Sequence, residues 1–146
     1  MGSNDREANC RPISLFYARV YVHATEDPDK VLAALKNVAE GPYVARSAKG
    51  HHGNPIQIVE LKLHDCEALE AVKSLVARLD DVEFTLLLSG VEERRVYVKL
   101  DKQQAYRGVL RISHGDDVIY VEARGRGIAV DDMRSFLLSL RKALKT

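Results

Sequence analysis

The sequence has no tryptophan, few aromatic residues (6%) and only two cysteines. Cys10 and Cys66 lie far apart and neither has a CxxC partner, which excludes a zinc-ribbon pattern and a disulfide framework; two reduced thiols are expected. No apolar run approaches the roughly 18 residues of a membrane span, and the N-terminus lacks a basic-then-apolar signal, so a soluble, cytoplasmic protein without a membrane partner is expected. There is no GxSxG, no GxxxxGK[ST] and no HxxxH pair, and Gly125-Arg126-Gly127 stops short of GxGxxG. Without these signatures the chain offers no recognisable nucleophile elbow, phosphate loop or dinucleotide site, and no cofactor is expected. A strong charge excess is missing too. The formal net charge of +1 excludes a uniformly basic nucleic-acid protein.

What the chain does have is alternation. At 146 residues, 46% hydrophobic and 29% charged, it suits one α+β domain over residues 13–146 behind a flexible N-terminal segment, 1–12. From Ser14 to Ala24, Phe16, Ala18, Val20 and Val22 share one strand face, while Tyr17, Arg19, Tyr21 and His23 share the other. Asp27-Pro28 predicts an N-cap and first helical position, with a helix to about Glu40 stopped by Gly41-Pro42. Strands are expected over Tyr43–Ala48, Ile56–Leu63, Arg95–Leu100, Val109–Ser113 and Val118–Arg124. Asp65 is expected to cap a helix whose apolar residues follow at helical spacing, a short helix is expected within Val82–Glu93, and Asp131 or Asp132 is expected to cap a final helix whose basic end, Arg141, Lys142 and Lys145, complements the helix dipole. The order is β-α-β-β-α-(short α)-β-β-β-α: an antiparallel-rich sheet of about five to six strands with helices mainly on one face.

Two places concentrate chemistry. The stretch Gly50-His51-His52-Gly53-Asn54-Pro55 breaks two strands and presents two imidazoles on a turn whose glycines permit positive φ. The polar turn Asp101–Gly108, with Lys102, Gln103 and Tyr106, forms a second. Between them the outward strand positions gather Tyr17, Arg19, Tyr21, His23, Lys62, Tyr97, Lys99, Arg111, Tyr120 and Arg124. Such an aromatic and cationic face can stack unpaired bases beside phosphate-binding cations. Tyrosine and arginine are equally at home in a protein interface, so a homodimeric scaffold without nucleic acid is the alternative. Histidine and paired carboxylates also leave a metal-assisted hydrolase built on His51, His52, Asp116 and Asp117 as a weaker third reading, although adjacent histidines on an extended segment point apart.

The stretches His23-Ala-Thr-Glu-Asp-Pro-Asp-Lys30, Gly50-His-His-Gly-Asn-Pro-Ile56, Leu100-Asp-Lys-Gln103 with Ala105-Tyr106 and Gly108, and Gly115-Asp-Asp-Val-Ile119 resemble a family of archaeal proteins. Its members are described as RNA-binding or as exosome-associated subunits, and the likeness spans most of the chain. The resemblance implies a fold like that of the large-subunit ribosomal protein that binds 5S ribosomal RNA, a non-catalytic role, RNA as partner and an RNA-processing complex around it. It carries over His51, His52, Asn54, Lys102, Gln103 and Tyr106 as contacts. Together with Gly53, Arg111, Tyr17, Arg19 and Tyr21 from the strand pattern, these form the expected RNA-binding set. Gln104 and the Gly125-Arg126-Gly127 tail depart from the family pattern.

Overall fold

The structure is a computed structural model that describes residues 10–49, 53–127 and 130–145. Six strands form one open sheet in the order β2-β3-β1-β6-β5-β4. They are β1 (Ile13–Val22), β2 (Tyr43–Lys49), β3 (Pro55–His64), β4 (Val91–Glu92), β5 (Arg95–Asp101) and β6 (Val118–Gly125). Five helices accompany them: α1 (Pro28–Val38), α2 (Asp65–Arg78), α3 (Asp81–Leu88), α4 (Lys102–Tyr106) and α5 (Met133–Lys145). The expected α+β class with an antiparallel sheet is what is found. The β1-α1-β2-β3 run is a split β-α-β unit, because β3 pairs between β1 and β2 in the sheet order.

The chain divides into two compact units, each described by itself: Met1–Phe16, Leu63–Val98 and Glu122–Thr146 form one, Tyr17–Lys62 and Lys99–Val121 the other. In the second unit, Ala18, Val20 and Val22 are buried on β1, and Val31, Ala34, Leu35 and Val38 form the buried stripe of α1. Asp27 caps α1 by accepting from the Asp29 N–H, with Pro28 at the first helical position. The helix ends at Val38, two residues before Glu40. β2 and β3 pair antiparallel from Tyr43↔Leu61 to Lys49↔Pro55, the hairpin that the flanking strand patterns predict. Val109–Ser113 is not a strand. It meets β5 at an isolated bridge, Leu100↔Ile112, where the Asp101 N–H donates to the Arg111 carbonyl and the Ser113 N–H donates to the Lys99 carbonyl.

In the first unit, α2 buries Ala68, Leu69, Val72, Leu75 and Val76. Asp65 does not cap it. The cap position is His64, which makes no side-chain bond, and Asp65 is the first helical residue at φ 52. The uncertain Val82–Glu93 stretch resolves into α3 and a two-residue strand β4, which turns back at once onto β5. Gly90 makes that turn possible: a Cβ there would lie 2.0 Å from the Tyr97 carbonyl oxygen. Asp132 caps α5, accepting from the Arg134 N–H and Ser135 hydroxyl. Arg141, expected only to complement the dipole of its own helix, instead donates to the carbonyls of Val76 and Leu79 at the end of α2 and stacks over Phe84. The cysteine expectation is overturned as well. Cys10 and Cys66 form a disulfide, because the segment before β1 and the first turn of α2 bring their Cα atoms to 4.6 Å.

Candidate functional site

Alternation on β1 places Tyr17, Arg19 and Tyr21 on one half-buried face while their neighbours enter the core. Tyr120, from β6, completes a cluster of three rings, two of which flank the Arg19 cation. The Arg19 guanidinium lies 5.5 Å from the Tyr21 ring centre and 4.8 Å from that of Tyr120. Tyr17 and Tyr120 meet edge to face at 6.3 Å, and the Lys62 ammonium stands 6.0 Å from the Tyr17 ring. Among the described residues no carboxylate pairs with Arg19, and its Nε is buried without a hydrogen-bond partner. Arg19 is therefore held by ring faces, an arrangement worth about 0.5–2 kcal/mol per contact.

The rim of this face is neutralised differently. Tyr17 donates its hydroxyl to Glu60, which also pairs with Arg46 at 2.8 Å. Burial first, then that bond to Glu60, pushes the Tyr17 phenol up to about 12. Glu60 is held below its usual range by the Tyr17 hydroxyl and the Arg46 guanidinium. The outward strand list contains neither Glu60 nor Arg46. The hairpin register could have found the pair, since Arg46 lies opposite Ile58 and diagonal to Glu60.

The Lys102 turn has another character. Lys102 opens α4, whose Asp101 cap accepts from the Gln104 N–H, and the lysine is only 3% exposed. Its ammonium donates to the Tyr21 carbonyl at 2.9 Å and to both Glu26 oxygens at 3.1 Å, and lies 2.5 Å from Asp117. His23 Nε2 is 3.3 Å from the same Asp117. The ligand atoms of His23, Glu26 and Asp117 all lie within 4.8 Å of one another, a spacing that suits a metal ion, but the cation shared by the two carboxylates is Lys102 itself. Asp117 thus serves the fold, and Asp116 is exposed.

Of the expected contacts, the structure brings Tyr17, Arg19 and Tyr21 into one cluster and Lys102, Gln103 and Tyr106 around one cavity. Gly53 sits at φ 81 and Asn54 is exposed at the tip of the β2–β3 hairpin, whereas His51 and His52 lie outside the described residues. Arg111 is exposed beside the Ile112 bridge rather than on a strand. No helix among the described residues is long and apolar enough to cross a membrane.

Known proteins resemble the chain as follows. RNA-binding protein PAB1135 of Pyrococcus abyssi is 31% identical over 119 residues, covering 73% of this chain and 77% of that protein. Protein MJ0213 of Methanocaldococcus jannaschii is 37% identical over 111 residues, covering 67% and 74%. The solved structure of Mth689, a DUF54 protein from Methanothermobacter thermautotrophicus, superposes with a TM-score of 0.72 at 26% identity, covering 91% of this chain and 98% of that one. A family model described as RNA binding matches residues 16–124, which hold both the tyrosine–arginine face and the Lys102 turn. The chain belongs to this RNA-binding family.

Proposed function

We propose that this chain is a non-catalytic RNA-binding protein that lays unpaired bases on the Tyr17, Tyr21 and Tyr120 rings with Arg19 at their centre. The observation that carries the reading is an arginine set between two ring faces with no carboxylate partner among the described residues, on a strand face that otherwise alternates cleanly. A ring-lined sheet face suits splayed bases, because every base has a π-face and a duplex keeps its bases stacked inside. Lys62 adds a phosphate contact beside Tyr17. Arg111 and the hairpin tip at Gly53 and Asn54, with His51 and His52, extend the proposed contact set.

An accessory role in RNA processing, with the exosome among the candidate complexes, and kinship with the 5S-RNA-binding ribosomal fold are the finer parts of this proposal. Co-elution with a purified exosome core tests the first. The main test is fluorescence anisotropy with a single-stranded RNA 12-mer, the matching duplex and a DNA control across salt concentrations. Micromolar binding that prefers single-stranded RNA and weakens with salt supports the reading. A protein that binds none of the three and scatters light as a stable dimer replaces it with the scaffold alternative.

A further inference from the structure

Beside β1, α1 and α4 enclose a cavity of about 430 Å³, within the range of about 300–1,000 Å³ that small-ligand sites occupy. Its floor is apolar, from the buried Val31 and Ala34. The Tyr106 side of its wall is 44% exposed, and the backbone there is fixed because the Asn37 amide donates to the carbonyls of Ala105 and Tyr106. Lys30 and Gln103 supply the rim, and neither side chain has a protein partner among the described residues. Glu26 is neutralised by Lys102, and Asp27 accepts the α1 capping bond. The groups that face a ligand include one aromatic face, the Gln103 amide that can both donate and accept, the Lys30 ammonium and the Thr25 hydroxyl.

That combination matches one ligand chemistry. We infer that the cavity receives a single ribonucleoside monophosphate unit, its base on Tyr106 above the Val31–Ala34 floor, its base edge on the Gln103 amide and its phosphate against Lys30. Gln103 offers a donor and an acceptor in one plane, the pattern needed for a base edge, and Lys30 is a compact point charge for phosphate. The unit can come from a free nucleotide or from a strand crossing the neighbouring face, since Lys102 in the cavity wall bonds the Tyr21 carbonyl at the end of that face. The second source rests on the RNA-binding reading; the cavity chemistry does not.

The test is a two-dimensional amide NMR titration of the intact protein with adenosine 5′-monophosphate, then with single-stranded A12 RNA. The nucleotide is expected to shift Lys30, Gln103 and Tyr106, and Tyr106→Leu, which keeps apolar bulk, to weaken it about fivefold. Unmoved cavity resonances, or wild-type nucleotide affinity in Tyr106→Leu, overturn the inference. A12 separates the two readings. Binding of A12 that responds to Arg19→Ala, with a cavity silent to both ligands, defeats the cavity and leaves RNA binding standing. Nucleotide in the cavity with no A12 binding supports the cavity and defeats the RNA reading.

Discussion

Arg19 and Lys102 are two cations of one structural unit, and their surroundings are opposite. Lys102 is enclosed by Glu26, Asp117 and a backbone carbonyl, so its charge is matched three times over. Arg19 is bordered by tyrosine rings and has no carboxylate partner among the described residues. A buried ammonium must be paired, because its desolvation cost is otherwise several kcal/mol. A guanidinium tolerates ring faces, being flat, delocalised and weakly hydrated. The difference teaches that charge on a polar turn is no guide to availability: the lysine that looks like a surface contact holds α4 to β1, while the arginine inside a strand is left to ring faces.

Four experiments sharpen or break this contrast. The largest effect belongs to neither cation. Reducing the Cys10–Cys66 disulfide frees a loop of 56 residues in the unfolded chain, and urea unfolding with and without dithiothreitol should differ by about 4 kcal/mol. RNA affinity of the folded, reduced protein should not change; a loss would make the face depend on the disulfide. Next, Lys102→Met should lower stability by about 2–3 kcal/mol, less than a wholly buried pair because Asp117 is half exposed, by stranding Glu26 and Asp117. If the variant unfolds at the wild-type urea midpoint, Lys102 is not the structural cation described here.

Arg19→Ala inverts the pattern. Its unfolding should shift by about 1–2 kcal/mol, less than for Lys102→Met, while RNA affinity falls about tenfold and the salt slope flattens by about one ion. A stability loss equal to that of Lys102→Met would erase the contrast. The smallest effect is spectroscopic. The Tyr17 phenol, pushed up to about 12, titrates above its unfolded value of 10.0, so its stabilisation is complete below pH 10 and is lost as pH rises from 10 to 12. Absorbance titration at high pH should show a late-ionising tyrosine. Glu60→Gln should bring it only part of the way down, because burial outweighs the Glu60 bond. A full return to the ordinary value would make Glu60, rather than burial, the dominant cause.

Much of the fold was legible because it follows from local rules. The β1 alternation, the Asp27-Pro28 start of α1 and the β2–β3 hairpin each need only a few neighbouring residues to be specified. The expectations that failed needed distant partners. Val109–Ser113 has strand composition, but only one of its residues finds a bridge. Asp65 is a good capping residue, yet the chain leaves β3 one residue too early and Asp65 becomes part of the helix. Two lone cysteines read as thiols until the N-terminal segment is laid beside α2.

The site divides along the same line. The sequence by itself determined that Tyr17, Arg19 and Tyr21 share a face, since the period of a strand is two and their neighbours are apolar. Only the tertiary structure decided that Tyr120 joins them, that Glu60 and Arg46 close the rim, and that Lys102 turns inward. Those choices depend on which strands are adjacent and where a carboxylate lies in space. Glu26 is 76 residues from Lys102 in the chain, and no local spacing encodes a contact at that separation.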